Sequence, residues 1–112
     1  MRNNICVCKP VIRWTTPTQK LNYCIDFSGT SKLVTTYNQY GEILLRKEKQ
    51  DVKLDGETVV IRLTQEETGL FKAGREPVRI MINAVWPDGT RVARKNMYFF
   101  VDENDENGVI EP

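Results

Sequence analysis

At 112 residues the chain has room for one domain, and a domain of that size buries a core without staples. The absence of histidine removes Ser-His-Asp triads, Cys-His pairs and most zinc sites at once. The net charge of +1 hides an asymmetry: Asp102 to Pro112 carry five carboxylates and no base, which leaves 16 basic against 10 acidic side chains, a body charge of +6.

Residues 1–8 read as an N-terminal extension or edge strand. Ile5-Cys-Val-Cys8 is too short for a signal-peptide core, and Lys9 and Pro10 end it. No stretch approaches the roughly twenty apolar residues of a bilayer span. The expectation is a soluble protein without a secretion signal and without a membrane role. Cys6, Cys8 and Cys24 are odd in number and lack a fourth thiol or a histidine to close a tetrahedral site, so three reduced thiols and no metal are expected.

Residues 9–101 read as strand after strand. Val11 to Trp14 is a short apolar start, kept to an edge by Pro17, which cannot donate to a ladder. Leu21 to Phe27 alternates cleanly and puts Cys24 on its more polar face. Ser31 to Tyr40 follows, with Leu33, Thr35 and Tyr37 on one face and Val34, Thr36 and Asn38 on the other. Gly41 begins a turn into Glu42 to Glu48, where Ile43 and Leu45 oppose Leu44 and Arg46. Lys47 to Asp51 is a polar connection or a frayed strand end. Asp55-Gly56 turns Val52 to Leu54 into Thr58 to Leu63, whose β-branched run suits a buried pleated surface.

Thr64 and Glu67 have the spacing of a capping box, in which each side chain satisfies the other residue's backbone N–H. Gly69 and Gly74 bracket Leu70 and Phe71, so the helix lasts one turn and forms a corner between sheets, with Leu70 and Phe71 plugging the end of the core. The clearest local signal is the hairpin after it. Val78, Ile80, Ile82, Ala84 and Trp86 alternate with Arg79, Met81, Asn83 and Val85, a period of two over nine residues. Pro87 and Asp88 then suit the first two turn positions, and Gly89 supplies φ > 0. The return strand, Thr90 to Val101, places Ala93, Met97, Phe99 and Val101 on one face with Lys95 as the exception, and Tyr98 and Phe100 on the other. Six or seven strands at this spacing, with no periodic helix, predict a two-sheet antiparallel sandwich.

Residues 102–112 form an acidic C-terminal tail, read as a solvated, poorly ordered end. Asp102, Asn104 and Asp105 look like the start of a calcium loop, but no bidentate Glu follows at the required distance. Glu66 and Glu67 are adjacent and point apart, so they cannot work as a carboxylate pair. No Gly-rich loop precedes a helix, so no phosphate cradle and no cofactor are expected. The basic residues Arg75, Arg79, Arg91, Arg94 and Lys95 cluster on the hairpin, where edge protection accounts for them better than a nucleic-acid role. No residue is expected to be catalytic.

Thr58-Val-Val-Ile-Arg-Leu-Thr-Gln-Glu-Glu-Thr-Gly-Leu-Phe71, followed by a strand, Asp88-Gly89 and another strand, resembles small proteins encoded in phages and prophages of Gram-positive bacteria. Thr35-Thr-Tyr-Asn-Gln39 and Asp51-Val52 fit the same pattern, which covers most of residues 9–110. More loosely, the chain is similar to the N-terminal immunoglobulin-like domain of phage upper baseplate proteins. The resemblance implies an immunoglobulin-like antiparallel β-sandwich of about seven strands, with one short helical turn near residues 64–71. It implies a non-enzymatic structural or assembly protein of a tail, neck or baseplate, present in the bacterial cytoplasm during assembly and then in the virion.

Its partners would be other phage structural proteins and further copies of itself. Arg91, Arg94, Lys95, Tyr98, Phe100, Asp102 and Glu103 are the candidate interface, the tail of one copy lying on the basic hairpin of the next. A free-standing binding module for carbohydrate or peptide at the host surface is the alternative, with Trp14, Trp86 and Tyr40 as candidate sugar-stacking rings.

Overall fold

A computed structural model of the chain describes residues 6–112, the side chain of Cys6 excepted. The strands are β1 (Cys6–Val7), β2 (Val11–Ile12), β3 (Thr18–Asn22), β4 (Lys32–Gln39), β5 (Glu42–Glu48), β6 (Lys53–Asp55), β7 (Thr58–Arg62), β8 (Val78–Val85), β9 (Arg91–Phe99) and β10 (Val101–Asp102). A 3-10 turn at Lys49–Asp51 follows β5, and an α-helical turn, α1 (Gln65–Gly69), the one among the described residues, lies between β7 and β8.

Five strands form one sheet in the order β1-β9-β8-β4-β5, three form the second in the order β3-β7-β6, and β10 pairs with β2. The long pairings are antiparallel, whereas β1 runs parallel to β9 and β2 parallel to β10. The division matches the GFCC′ and BED sheets of an immunoglobulin variable-type domain. The protein is an immunoglobulin-like β-sandwich.

The alternation that predicts strands also sorts the core. Leu33, Thr35, Tyr37 and Gln39 of β4 face inward, as do Val78, Ile80, Ile82 and Ala84 of β8. Val59 and Ile61 of β7, with Leu63 just beyond it, meet them from the second sheet. Tyr37, Phe71 and Phe99 pack their rings 5.4–6.1 Å apart at the centre. The Tyr37 hydroxyl donates to Gln19 Oε1 at 2.8 Å, which joins the two sheets through the core. Burial drives the Tyr37 phenol far above its ordinary pKa, so it stays a neutral donor.

The turns are built as their residues dictate. Tyr40 (φ 54°) and Gly41 (φ 74°) make the two-residue connection between β4 and β5, with positive φ at both positions as a type I′ turn demands. In the β8–β9 hairpin Gly89 N donates to Trp86 O at 2.9 Å and Gly89 sits at φ 90°, the geometry expected of Pro87-Asp-Gly89. The Asp88 carboxylate accepts from Thr90 N at 2.9 Å, and that bond holds its pKa below the ordinary value.

Four expectations are corrected. The strand read over Leu21 to Phe27 ends at Asn22, because Asn22 Oδ1 accepts from Cys24 N at 2.9 Å and turns Cys24 to φ 58°. Tyr23 and Phe27 reach the core from this loop, their rings edge to face at 5.8 Å. In β9 the register with β8 shifts by one residue between Ile80 and Ile82, a bulge at Lys95 and Asn96. Ala93 therefore lies on the opposite face from Met97 and Phe99, and Lys95 is exceptional because it sits in the bulge. A second bulge, at Leu44, separates Ile43 from Leu45: Ile43 pairs with the outward Asn38, and Leu45 with the inward Tyr37. Leu70 is exposed, which leaves Phe71 alone as the core plug.

Candidate interaction face

The α1 corner is tied inward on every side. Thr64 Oγ1 accepts from Glu67 N at 3.2 Å and Glu67 Oε1 accepts from Thr64 N at 2.9 Å, the reciprocal box its sequence predicts. Lys47, turned inward from β5, donates to the Glu67 carboxylate. Burial alone would raise the Glu67 pKa, but the Lys47 ammonium and the Thr64 N–H outweigh it and hold the carboxyl below its ordinary value. Buried Thr68 accepts from Thr15 N at 3.0 Å and donates to Thr15 O at 2.8 Å. Trp14, at φ 66°, lies directly over Gly69, where a Cβ would stand 2.4 Å from the ring.

The acidic tail belongs to this corner, which corrects the reading of it as a poorly ordered end. Glu103 pairs with Arg13 at 2.9 Å, and Asn104 Nδ2 donates to Arg13 O at 2.9 Å. Ile110 N donates to Gln65 Oε1 at 2.8 Å while Gln65 Nε2 donates to Ile110 O at 3.0 Å. Asp102 is exposed in β10. These groups sit at the far end of β9 from the basic hairpin, on the order of 30 Å away at the rise of a strand. The structure does not bring the tail carboxylates of one chain to its own Arg91, Arg94 and Lys95.

Those basic residues also part company. Arg91 donates from Nε and Nη2 to Asn83 Oδ1 at 3.3 and 3.0 Å on the outer face of the five-stranded sheet. Arg94 pairs with the inward Ile82, beyond the bulge, and donates to Ala93 O at 3.1 Å. Lys95 is exposed in the bulge itself.

What the sheet does assemble is a row across its outer face. Val7 pairs with Tyr98, Tyr98 with Arg79, Arg79 with Asn38, and Asn38 with Ile43. One residue from each of the five strands stands in line. The Arg79 guanidinium lies 5.8 Å from the centre of the Tyr98 ring, and Phe100 meets that ring edge to face at 5.8 Å. Val7 and Ile43 are 59% and 60% exposed, and Phe100 is 38% exposed, so apolar surface on this face remains in water. Tyr98 and Phe100 were legible from the alternation of the return strand. Val7, Arg79 and Ile43 were not, since only the register of the strands shows that they meet.

The three rings considered for sugar stacking do not share a face. Trp14 covers Gly69, Trp86 packs on Phe27 at 6.1 Å, and Tyr40 stands exposed at the β4–β5 turn with Lys72 Nζ 5.6 Å from its ring centre. Cys24 is exposed and Cys8 half-buried. Among the described residues no three thiol, carboxylate or imidazole groups converge where a metal ion could bind. No helix among them is long and apolar enough to cross a membrane. No protein-family model matches the chain, and no curated protein matches it.

Proposed function

We propose that the chain is a non-enzymatic structural or assembly protein of a phage or prophage particle, a tail, neck or baseplate component that docks other structural proteins through the outer face of its five-stranded sheet. The particle assignment rests on the resemblance of most of residues 9–110 to small phage and prophage proteins. The docking face rests on one observation, the row Val7, Tyr98, Arg79, Asn38 and Ile43 with Phe100 beside it. Exposed apolar and aromatic groups around one arginine are the composition of an interface centre, where aromatic and Arg side chains are enriched. The docked partners are other virion proteins, and further copies of the chain where the particle is built from several.

The contact does not use the tail as a free arm, because Arg13 and Gln65 already engage it. Scattered rings favour this reading over a carbohydrate-binding module, which needs aromatic faces on one surface. Mass spectrometry of purified particles from the strain encoding the chain should find it at a fixed copy number. Phe100→Ser with Ile43→Ser should deplete it from the particles while the soluble protein stays folded. Particles that lack the chain altogether defeat the proposal.

A further inference from the structure

Among the described residues the second sheet stops at β3, and no strand lies against its outer edge. In immunoglobulin sandwiches a strand A commonly lies beside strand B, giving an ABED sheet. Here β3 takes the place of B, yet β1 and β2 pair with β9 and β10 instead, and β7 is the one described strand that pairs with β3. The β3–β7 ladder closes through Leu63 N to Pro17 O at 3.0 Å and Tyr23 N to Glu57 O at 3.1 Å. Hydrogen-bonding residues alternate along an antiparallel strand, so Thr18, Lys20 and Asn22 turn their backbone N–H and C=O groups away from β7, toward the open side.

Beside that edge runs a groove of about 650 Å³. Val11, Leu21 and Met97, all buried in the core, form its apolar floor. Gln19 also lines it, and is 7% exposed. Its Oε1 is taken by Tyr37, but its buried Nε2 has no hydrogen-bond partner. Turning the amide over would only move the deficit to the oxygen. The charged side chains of the lining are Lys9 and Lys20, both exposed, and the lining holds no carboxylate.

We propose that β3 accepts an extended, acidic segment of a partner polypeptide as a fourth strand of this sheet. The added strand satisfies the backbone groups of Thr18, Lys20 and Asn22. Alternate side chains of that strand enter the apolar groove, and its carboxylates meet Lys9 and Lys20. It also brings carbonyl groups to the side of the sandwich where Gln19 lacks an acceptor.

Charge selects this occupant over two others. Met1 to Ile5 contains Arg2 and no acid, so its sequence offers the lysines no opposite charge. The acidic segment of a second copy is already held by its own Arg13 and Gln65. The site shares Val7 with the sheet face proposed above, but it rests on the β3 edge and stands or fails without that reading.

The test is residue-resolved amide hydrogen exchange on the full chain, with and without a capped peptide that alternates valine with aspartate. Slowed exchange at Thr18, Lys20 and Asn22, absent with the valine–lysine counterpart, is the expected result. Lys20→Pro removes an N–H that no described strand uses and should weaken peptide binding by at least about tenfold. Lys9→Glu with Lys20→Glu leaves the backbone donors in place and should weaken it comparably, which keeps the test decisive if the proline variant misfolds. No slowing with the acidic peptide, slowing confined to other strands, or undiminished binding by a folded variant overturns the proposal. So does slow exchange at those three amides without peptide. Growth of that protection with protein concentration would assign the edge to a second copy, and its loss on deleting Met1 to Ile5 would assign it to the chain itself.

Discussion

The α1 corner and the outer face of the five-stranded sheet use the same kinds of residue to opposite ends. At the corner, Thr64, Glu67, Lys47, Thr68 and Gln65 each have a partner within the chain, and Trp14 is pressed onto Gly69. On the face, Val7, Ile43 and Phe100 keep much of their surface in water, and Arg79 is answered by the Tyr98 ring rather than by a carboxylate. The corner closes one end of the sandwich with its polar groups paired inside the chain, although Leu70 and Ile110 remain exposed beside it. The face leaves its apolar atoms unspent, which is what a docking surface requires.

Substitutions sharpen this contrast, beginning beneath the corner. Phe71 is fully buried between Tyr37 and Phe99, so Phe71→Ala should cost about 3–5 kcal/mol by cavity formation, read from chemical denaturation. Gly69→Ala should cost about 1–3 kcal/mol, because the added methyl meets the Trp14 ring. The same change in a Trp14→Ala background should cost much less, and an equal cost in both would show that the ring is not the obstacle.

Two changes of about 1 kcal/mol test local chemistry. Thr64→Ala removes the cap, and Gly89→Val forces a β-branched residue into φ 90°. An unchanged unfolding midpoint for either would detach the element from its assigned signal.

Acid provides a finer probe of the corner. The folded pKa of Glu67 lies below the unfolded one, so the folded state binds fewer protons there. Its contribution is present in full above the ordinary carboxylate range and is lost as pH falls through the folded value. Lys47→Met should shift that loss to higher pH, followed by unfolding midpoints across the acid range. The face should respond least: Phe100→Ser and Ile43→Ser should change stability by no more than about 0.5 kcal/mol. A large loss there would make the row a structural element rather than a docking surface.

Much of the fold was legible in the residues. Period-two alternation marks β4 and β8, the Thr64–Glu67 spacing marks α1, and Pro87-Asp-Gly89 marks the long hairpin, because each rule acts within a few residues of chain. Tyr98 and Phe100 could be placed on the outer side of the return strand by the same means.

Tertiary structure decided the rest. Bulges at Leu44 and at Lys95 and Asn96 reverse the facing of Ile43 and Ala93, and a bulge is set by the partner strand. Cys24 ends a strand whose alternation continues to Phe27, because a loop can also deliver Tyr23 and Phe27 to the core. The docking of the tail on Arg13 and Gln65 joins residues about 45 to 90 positions apart, which no local pattern encodes. Composition determined that the chain could bury a core and alternation determined that it would do so with strands, since both follow from each side chain's preference for water or its absence. Which residues stand side by side across five strands, and which edge of the second sheet lacks a described neighbour, depended on pairings between distant segments, and only the folded chain contains those.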